Sequence, residues 1–229
     1  MLDSAVKSRL FEGTVIPAHP LALTEDRKLD EGSQRALTRY YIDAGVGGIA
    51  VGVHTTQFEI RNPEINLYEK VLKMAIEEVE YANVGEGFIK IGGISGPTEQ
   101  AVQEATFLRE AGYDLGLLSM GGLGSYTEHE LLERTKRVAD IIPVFGFYLQ
   151  PSVGGRVLSY DFWKSLADMN NIHAIKIAPF NRYQTLDVIR AVCHSYRNEE
   201  IAIYTGNDDN IVADLLTSYR FNVNGKNGS

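Results

Sequence analysis

What this chain lacks narrows its reading first. Its 229 residues include one cysteine, Cys193, so no intramolecular disulfide can form and a reducing compartment, the cytoplasm, is expected. No apolar run approaches the length of a membrane span, and residues 1–11 lack the apolar centre of a secretion signal, so neither anchor nor export is expected. Basic residues are in deficit: 22 Lys and Arg stand against 30 Asp and Glu, a net charge of −8. Nucleic acid or an anionic membrane as the main partner would favour the opposite balance. The glycine fingerprint of a dinucleotide fold is missing after the first apolar run, which reads Ile16-Pro17-Ala18-His19-Pro20. No linker or low-complexity stretch breaks the chain before its C-terminus.

What is present is a regular alternation. Short apolar runs at 13–18, 48–53, 88–94, 115–120, 143–150, 174–178 and 201–205 read as strands. Between them lie helix-period segments at 31–43, 65–80, 98–111, 127–140, 160–169, 183–195 and 210–219. Several open on good N-terminal signals, such as Pro97-Thr98-Glu99, and some end at glycine, as at Gly45 and Gly112. Seven βα units in a row imply parallel strands and suit a (β/α)8 TIM barrel better than an open doubly wound sheet. The expectation is one α/β barrel domain: a short extension at 1–12, seven units at 13–219 and a polar tail at 220–229. That tail is too short for a good eighth strand and closing helix. Either Phe221 to Val223 forms a stunted eighth strand, or, as the reading favours, the eighth strand and C-terminal helices are absent.

Lys176 carries the strongest chemical signal. In Ala174-Ile175-Lys176-Ile177-Ala178-Pro179, strand alternation sets the isoleucines on one face and the lysine with two alanines on the other. A lysine there is either a solvating edge charge or a buried amine whose lowered pKa suits a Schiff-base nucleophile. Ile89-Lys90-Ile91 repeats the pattern, and the residues alone leave the choice between the two lysines open. On the fifth strand Tyr148 shares a face with Gly146 and Gln150, while Phe145, Phe147 and Leu149 share the other. The bulky face suits packing under helices, which would turn Tyr148 into the barrel beside Lys176. A phenol beside an amine is a proton-transfer pair suited to carbonyl chemistry.

The order and spacing of these motifs resemble the dihydrodipicolinate synthase/N-acetylneuraminate lyase family, class I aldolase-type barrels acting on pyruvate or other 2-oxo acids. Tyr148-Leu149-Gln150-Pro151 resembles the family's Tyr-x-x-Pro motif, and Lys176 follows the tyrosine by 28 residues, a spacing similar to the family's. Thr55-Thr56 resembles its threonine pair, and Gly206-Asn207-Asp208-Asp209 its Gly-Asp-Asp turn, with one residue added. The resemblance runs from about Gly13 to Tyr219. It implies an imine on Lys176 with no other cofactor and no metal. It implies Tyr148 and Thr56 as the proton relay, and Thr55 and Gly206 at the 2-oxo acid. An aldehyde is the implied second small molecule, and a homo-oligomer, commonly a tetramer, is the implied assembly.

Departures accompany the resemblance. The Gly-Glu that follows the family's threonine pair is replaced by Gln57-Phe58, and an aromatic pair by Gly121-Gly122. The family's carboxylate-binding arginine would fall at Val153, and Arg156, three residues on, is the nearest substitute. His19 and His54 stand where small or hydroxyl residues are usual, and line a polar pocket in this reading. Each motif also has a plain alternative: Tyr148 as a core phenol, Thr55-Thr56 as a strand-end cap, Arg156 as a surface charge. Two other functions are compatible with the residues: a catalytically silent small-molecule-binding protein, and a metal-dependent hydrolase or isomerase using His19 and His54, for which no third ligand at a strand end is evident.

Overall fold

The computed structural model describes residues 2–223 and 226–228. Six parallel strands form one sheet in sequence order: β1 (Gly48–Val51), β2 (Ile89–Ile94), β3 (Leu115–Ser119), β4 (Val144–Leu149), β5 (Ile172–Ala178) and β6 (Ala202–Thr205). Helix α1 (Ser4–Glu12) and helix α2 (Glu31–Asp43) precede β1. The connections carry α3 (Tyr68–Tyr81), α4 (Thr98–Glu110), α5 (Glu128–Ala139), α6 (Tyr160–Ala167) and α7 (Arg182–Cys193), and α8 (Ile211–Leu216) follows β6. Their starts are written locally. Thr127 and Glu130 make a reciprocal capping box on α5, Ser159 caps α6, and the Asn181 side chain accepts the Tyr183 and Gln184 amides to open α7.

Parallel strands bury both faces, and two apolar layers result. The outer layer joins Ile49, Val51, Ile94, Leu118, Val144, Ile175 and Ile177 to helix residues such as Leu108, Phe162, Trp163 and Val188. The inner layer gathers Ala50, Ile89, Ile91, Leu115, Leu117, Phe145, Phe147, Leu149, Ala174 and Ala178. Its leucines, isoleucines and phenylalanines contribute about 1.5–3 kcal/mol each when fully buried, and their burial makes the inner layer a packed core. Leu2, Val6 and Leu10 close the inner layer from one end of the chain. Within the stretch expected as an extension, Ser4–Glu12 is a helix, with Val6 and Leu10 one turn apart on its buried side and Asp3 as its cap.

Among the described residues the architecture is a curled half-barrel of six parallel strands, and a complete eight-stranded barrel is not formed. Segment 13–18 runs beside β1 through a single Ala18–Ala50 bridge, with Gly47 donating to Val15 O and Ala50 to Pro17 O. Pro17 has no amide to contribute, so no continuous ladder forms there. Phe221–Val223 (β7) pairs antiparallel with Lys226–Gly228 (β8) as a separate ribbon. It is not an eighth barrel strand. The helix expected at 65–80 begins only at Tyr68, because Asn66 takes a left-handed backbone (φ 47°) that a helix cannot pass through.

One irregularity decides how the site is built. Val144 pairs with Ile172 but Phe145 pairs with Ala174, so the register skips His173. From that bulge onward Phe147 stands opposite Lys176 and Tyr148 opposite Ile177. A bulge inserts one residue and turns everything after it to the other face.

Candidate active site

Lys176 is the fifth of seven residues of β5, towards the strand's C-terminal end, where barrels of this kind carry their chemistry. Its flanking Ile175 and Ile177 belong to the outer layer, while Ala174 and Ala178 belong to the inner one, so the amine points inward. Nζ lies 5.2 Å from the centre of the Phe147 ring. Among the described residues no hydrogen bond or ion pair engages it. Burial pushes its pKa below the ordinary lysine value, and the Asp208 carboxylate pulls the other way. Gly206 is the close neighbour: a Cβ there would stand 2.6 Å from Lys176 Cε and 3.0 Å from the Ala178 methyl. A side chain there would force the end of the lysine chain to shift.

Lys90 is differently placed. It is the second residue of β2, at the N-terminal end, and its flanking isoleucines face inward, which turns the lysine outward. Its Nζ is 3.7 Å from Asp114 Oδ1, and the same carboxylate accepts the Lys90 amide at 2.8 Å. Burial raises the pKa of Asp114, against the pull of Lys90. This lysine is a structural partner.

Tyr148 is not beside Lys176. It lies in the outer layer, with its ring 4.9 Å from that of Trp163 and its hydroxyl accepting the Leu158 amide at 3.4 Å. The bulky-face expectation fails for a volume reason. The inner wall of β5 and β6 is made of Ala174, Ala178 and Ala202, and Phe145, Phe147 and Leu149 fill the space these leave. On the outer face Gly146 lets Ile175 and Leu166 close in. The His173 bulge then sets Lys176 opposite Phe147 instead of Tyr148.

The remaining expected residues separate into two groups. Thr55 and Thr56 lie in a 3-10 turn (His54–Thr56) beyond β1. Thr56 is fully buried; its hydroxyl donates to His19 O at 2.6 Å and accepts the Gly52 amide at 3.0 Å, so it ties backbone together. Thr55 and His54 are exposed on the rim. His19 is fully buried, not a pocket wall: Nδ1 is 2.9 Å from Pro20 O and Nε2 2.9 Å from the Thr38 hydroxyl. Burial lowers its pKa, against the pull of the Pro20 carbonyl. Arg156 donates to Leu123 O at 3.0 Å and Tyr126 O at 2.7 Å, so it clamps the loop after β3. Among the expected residues, Gly206 is brought against Lys176, and Thr56 and His19 meet separately through the Thr56 hydroxyl.

Other residues of the site were not singled out from sequence. Ser119, the last residue of β3, stands opposite Phe147 on the inner side, with its oxygen accepting the Gly121 amide at 3.1 Å. Val53, His54, Phe58, Leu117, Ser119 and Phe147 line a small void at this end of the half-barrel. Gln57, with φ 75°, joins two 3-10 turns and swings Phe58 onto the inner layer. That strained glutamine standing in place of a glycine was the available signal for Phe58. Arg61, ion-paired with Glu104 at 2.8 Å, donates to Gly52 O and Gly93 O and fixes the ends of β1 and β2. Among the described residues no three metal-ligating side chains converge, and no helix is long and apolar enough to cross a membrane.

Comparison with known proteins bears on the family and the fold. The sequence model of the Dihydrodipicolinate synthetase family matches residues 12–219. A curated relative, 4-hydroxy-tetrahydrodipicolinate synthase of Thiobacillus denitrificans, is 25% identical over 197 residues, covering 85% of this chain and 62% of that protein. The crystal structure of YagE from E. coli K12, a prophage protein of the dihydrodipicolinic acid synthase family in complex with pyruvate, superposes with a TM-score of 0.76. The match has 23% identity and covers 88% of this chain and 65% of that one. N-acetylneuraminate lyase from Mycoplasma synoviae gives 0.70 at 18% identity, over 88% and 65%. The chain thus spans about 62% of the length of its curated relative and similar shares of these structures.

Proposed function

The chain belongs to the dihydrodipicolinate synthetase family, and from that premise we propose that it works as an aldolase-type lyase or synthase on pyruvate or another 2-oxo acid, with Lys176 as the Schiff-base nucleophile. The inward-facing amine beside Gly206 and Phe147, without a hydrogen bond or ion pair among the described residues, carries this reading. A neutral amine attacks the ketone carbon, and loss of water leaves an imine. The protonated imine accepts electrons as C3 loses a proton, giving an enamine; C3 then adds to an aldehyde, or in reverse releases one. Water hydrolyses the product imine and restores the amine. No cofactor enters this sequence.

Proton handling at the carbinolamine falls, in this reading, to the charged group nearest in effect on the amine and to solvent. Asp208, exposed on the loop after β6, acts on Lys176 through its charge, and in this reading it exchanges protons with the carbinolamine by way of solvent rather than by direct contact. Tyr148, behind the sheet, is not assigned a relay role. Thr55 and His54, on the rim, are the side chains open to the 2-oxo acid's carboxylate.

The test follows the methyl protons of pyruvate in D2O by NMR. Reversible enamine formation replaces them with deuterium. The wild-type protein should accelerate this exchange, Lys176→Ala should reduce it to the uncatalysed rate, and Lys90→Ala should retain it. Exchange that survives in Lys176→Ala would sink the assignment.

A further inference from the structure

We propose that Asn207, with Thr205 and Asp214 behind it, is a positioning residue for Lys176, locking the loop after β6 to the loop after β5 so that Gly206 stays against the lysine stem. The inference rests on the Schiff-base reading of Lys176 and goes beyond it to the groups that hold the amine's surroundings. None of the three hydrogen-bonds to the amine; they act through Gly206 and the two loops.

Gly206 is held on both flanks. Its own amide donates to Ile177 O at 2.8 Å, one residue past Lys176. Before it, Thr205 donates its hydroxyl to Asp214 Oδ2 at 2.7 Å; after it, Asn207 Nδ2 donates to the same oxygen at 2.9 Å. The Asn207 backbone amide closes the turn on the Thr205 oxygen at 3.2 Å. Asp214 is in turn kept in place by Arg182, at the start of α7. One carboxylate on α8 thus grips both neighbours of the glycine that packs on the lysine.

Asn207 also reaches the other loop. The residue is buried, and its Oδ1 accepts the Phe180 amide at 3.0 Å while Nδ2 donates to the Thr185 hydroxyl oxygen at 3.1 Å. Phe180, just past β5, takes a left-handed backbone (φ 54°) that a bulky residue adopts only where its surroundings impose it. The Asn207 carbonyl is what satisfies its amide there.

The donors and acceptors require a carboxamide at this position. Thr185 gives its proton to Asn181 O at 3.0 Å and Thr205 gives its own to Asp214, so both hydroxyls have only acceptor capacity left. The Phe180 amide needs an acceptor, whereas the Thr185 oxygen and the Asp214 carboxylate need donors. Asparagine supplies one acceptor and two donors. An ionised aspartate would supply no donor and would set a second carboxylate against Asp214.

Asp208 directly follows Asn207, so the same fixture sets where its charge stands relative to the amine. Release of the loop would let Gly206 withdraw and admit water to the lysine stem. Burial is the larger influence on the amine's pKa and pushes it down, so release moves the pKa up towards the ordinary lysine value. Near neutral pH less of the amine is then free to attack a ketone.

The experiment labels the full chain with trace acetic anhydride across a range of pH. Acetylation of Lys176 and Lys90 is followed by peptide mass spectrometry, alongside methyl-proton exchange of pyruvate. Asn207→Ala and Thr205→Val should each move the Lys176 labelling midpoint to higher pH and leave that of Lys90 in place. Both should lower kcat/KM for exchange near neutral pH by about tenfold or more. Thr205→Ser, which keeps the hydroxyl, should hold the wild-type midpoint. Should Asn207→Ala fail to fold, Thr205→Val, which loses a single hydroxyl, decides alone. A Lys176 midpoint that stays put in the folded variants, or moves together with that of Lys90, overturns the inference and leaves the Schiff-base reading standing. A wild-type protein that exchanges no pyruvate protons, but whose Lys176 midpoint shifts in the variants, overturns the Schiff-base reading and upholds the positioning of the amine.

Discussion

In β2, Ile89-Lys90-Ile91 opens the strand, its isoleucines face the half-barrel's interior, and its amine lies 3.7 Å from Asp114. In β5, Ile175-Lys176-Ile177 lies towards the strand's far end, its isoleucines face the helices, and its amine turns inward over Phe147. The same tripeptide is thus mounted in opposite senses. Inversion of the face, by itself, separates a lysine whose charge is matched by a carboxylate from one that burial pushes towards the neutral, nucleophilic form. Position along the strand adds to this, since the C-terminal end of a parallel strand opens on the loops that carry function and the N-terminal end does not. On the proposed assignment the two lysines are told apart by face and strand end, and neighbouring residues type for type do not distinguish them.

Substitutions can attack this contrast in order of expected effect. Loss of the Lys176 amine should remove pyruvate methyl exchange altogether, as set out above, and Lys90 should not replace it. Gly206→Ala comes next. Its new methyl would stand 2.6 Å from Lys176 Cε, and a displacement of about 1 Å in a reacting group can cost on the order of 100-fold in rate; exchange should fall between tenfold and a hundredfold, measured at saturating pyruvate. Should Gly206→Ala exchange at the wild-type rate, the amine is not held where the structure puts it.

Asp114→Ala tests the other half of the comparison. It strips Lys90 of its carboxylate and the Lys90 amide of its acceptor, so denaturant unfolding should show a loss of about 1–3 kcal/mol. Exchange by the folded protein should stay at the wild-type rate, because a freed Lys90 still faces the wrong side of the sheet. Tyr148→Phe carries the smallest effect. Its hydroxyl makes one long hydrogen bond, to the Leu158 amide, so stability should drop by about 1 kcal/mol or less and exchange should persist within about twofold of wild type. A hundredfold loss in Tyr148→Phe would reinstate the phenol as a relay, in keeping with a general acid–base role worth about 10²–10⁴ in rate.

Sequence reasoning reached the alternating α/β architecture, and family resemblance singled out Lys176, because strand periodicity, helix caps and motif order are local signals that survive without coordinates. It failed where one residue of register mattered. Nothing in Val144-Phe145-Gly146 or in Ile172-His173-Ala174 announces that His173 will be skipped, yet that bulge puts Lys176 opposite Phe147 and leaves Tyr148 against Trp163. The rule that bulky residues pack under helices also misled, since which face needs bulk depends on the alanines of the neighbouring strands. His19 was drawn to the site by its place after an apolar run, and only the tertiary contacts with Thr38 and Gln34 reveal a structural histidine. Helix α1 passed unseen because its two inward residues, Val6 and Leu10, make too short an apolar stripe to stand out. Ser119 was illegible for the opposite reason: it is an ordinary residue whose neighbours come from other strands, whereas Phe58 left one signal, the glutamine that precedes it in place of a glycine.

The most direct measurement traps the imine and asks which lysine bears it. The protein is incubated with pyruvate and borohydride and digested, and the peptides carrying the two Ile-Lys-Ile segments are compared by mass spectrometry, in wild type and in Lys90→Ala. The account predicts the reduced pyruvyl group on Lys176 in both proteins and none on Lys90. A label on Lys90, or on neither lysine in folded protein that has been given pyruvate, would contradict it.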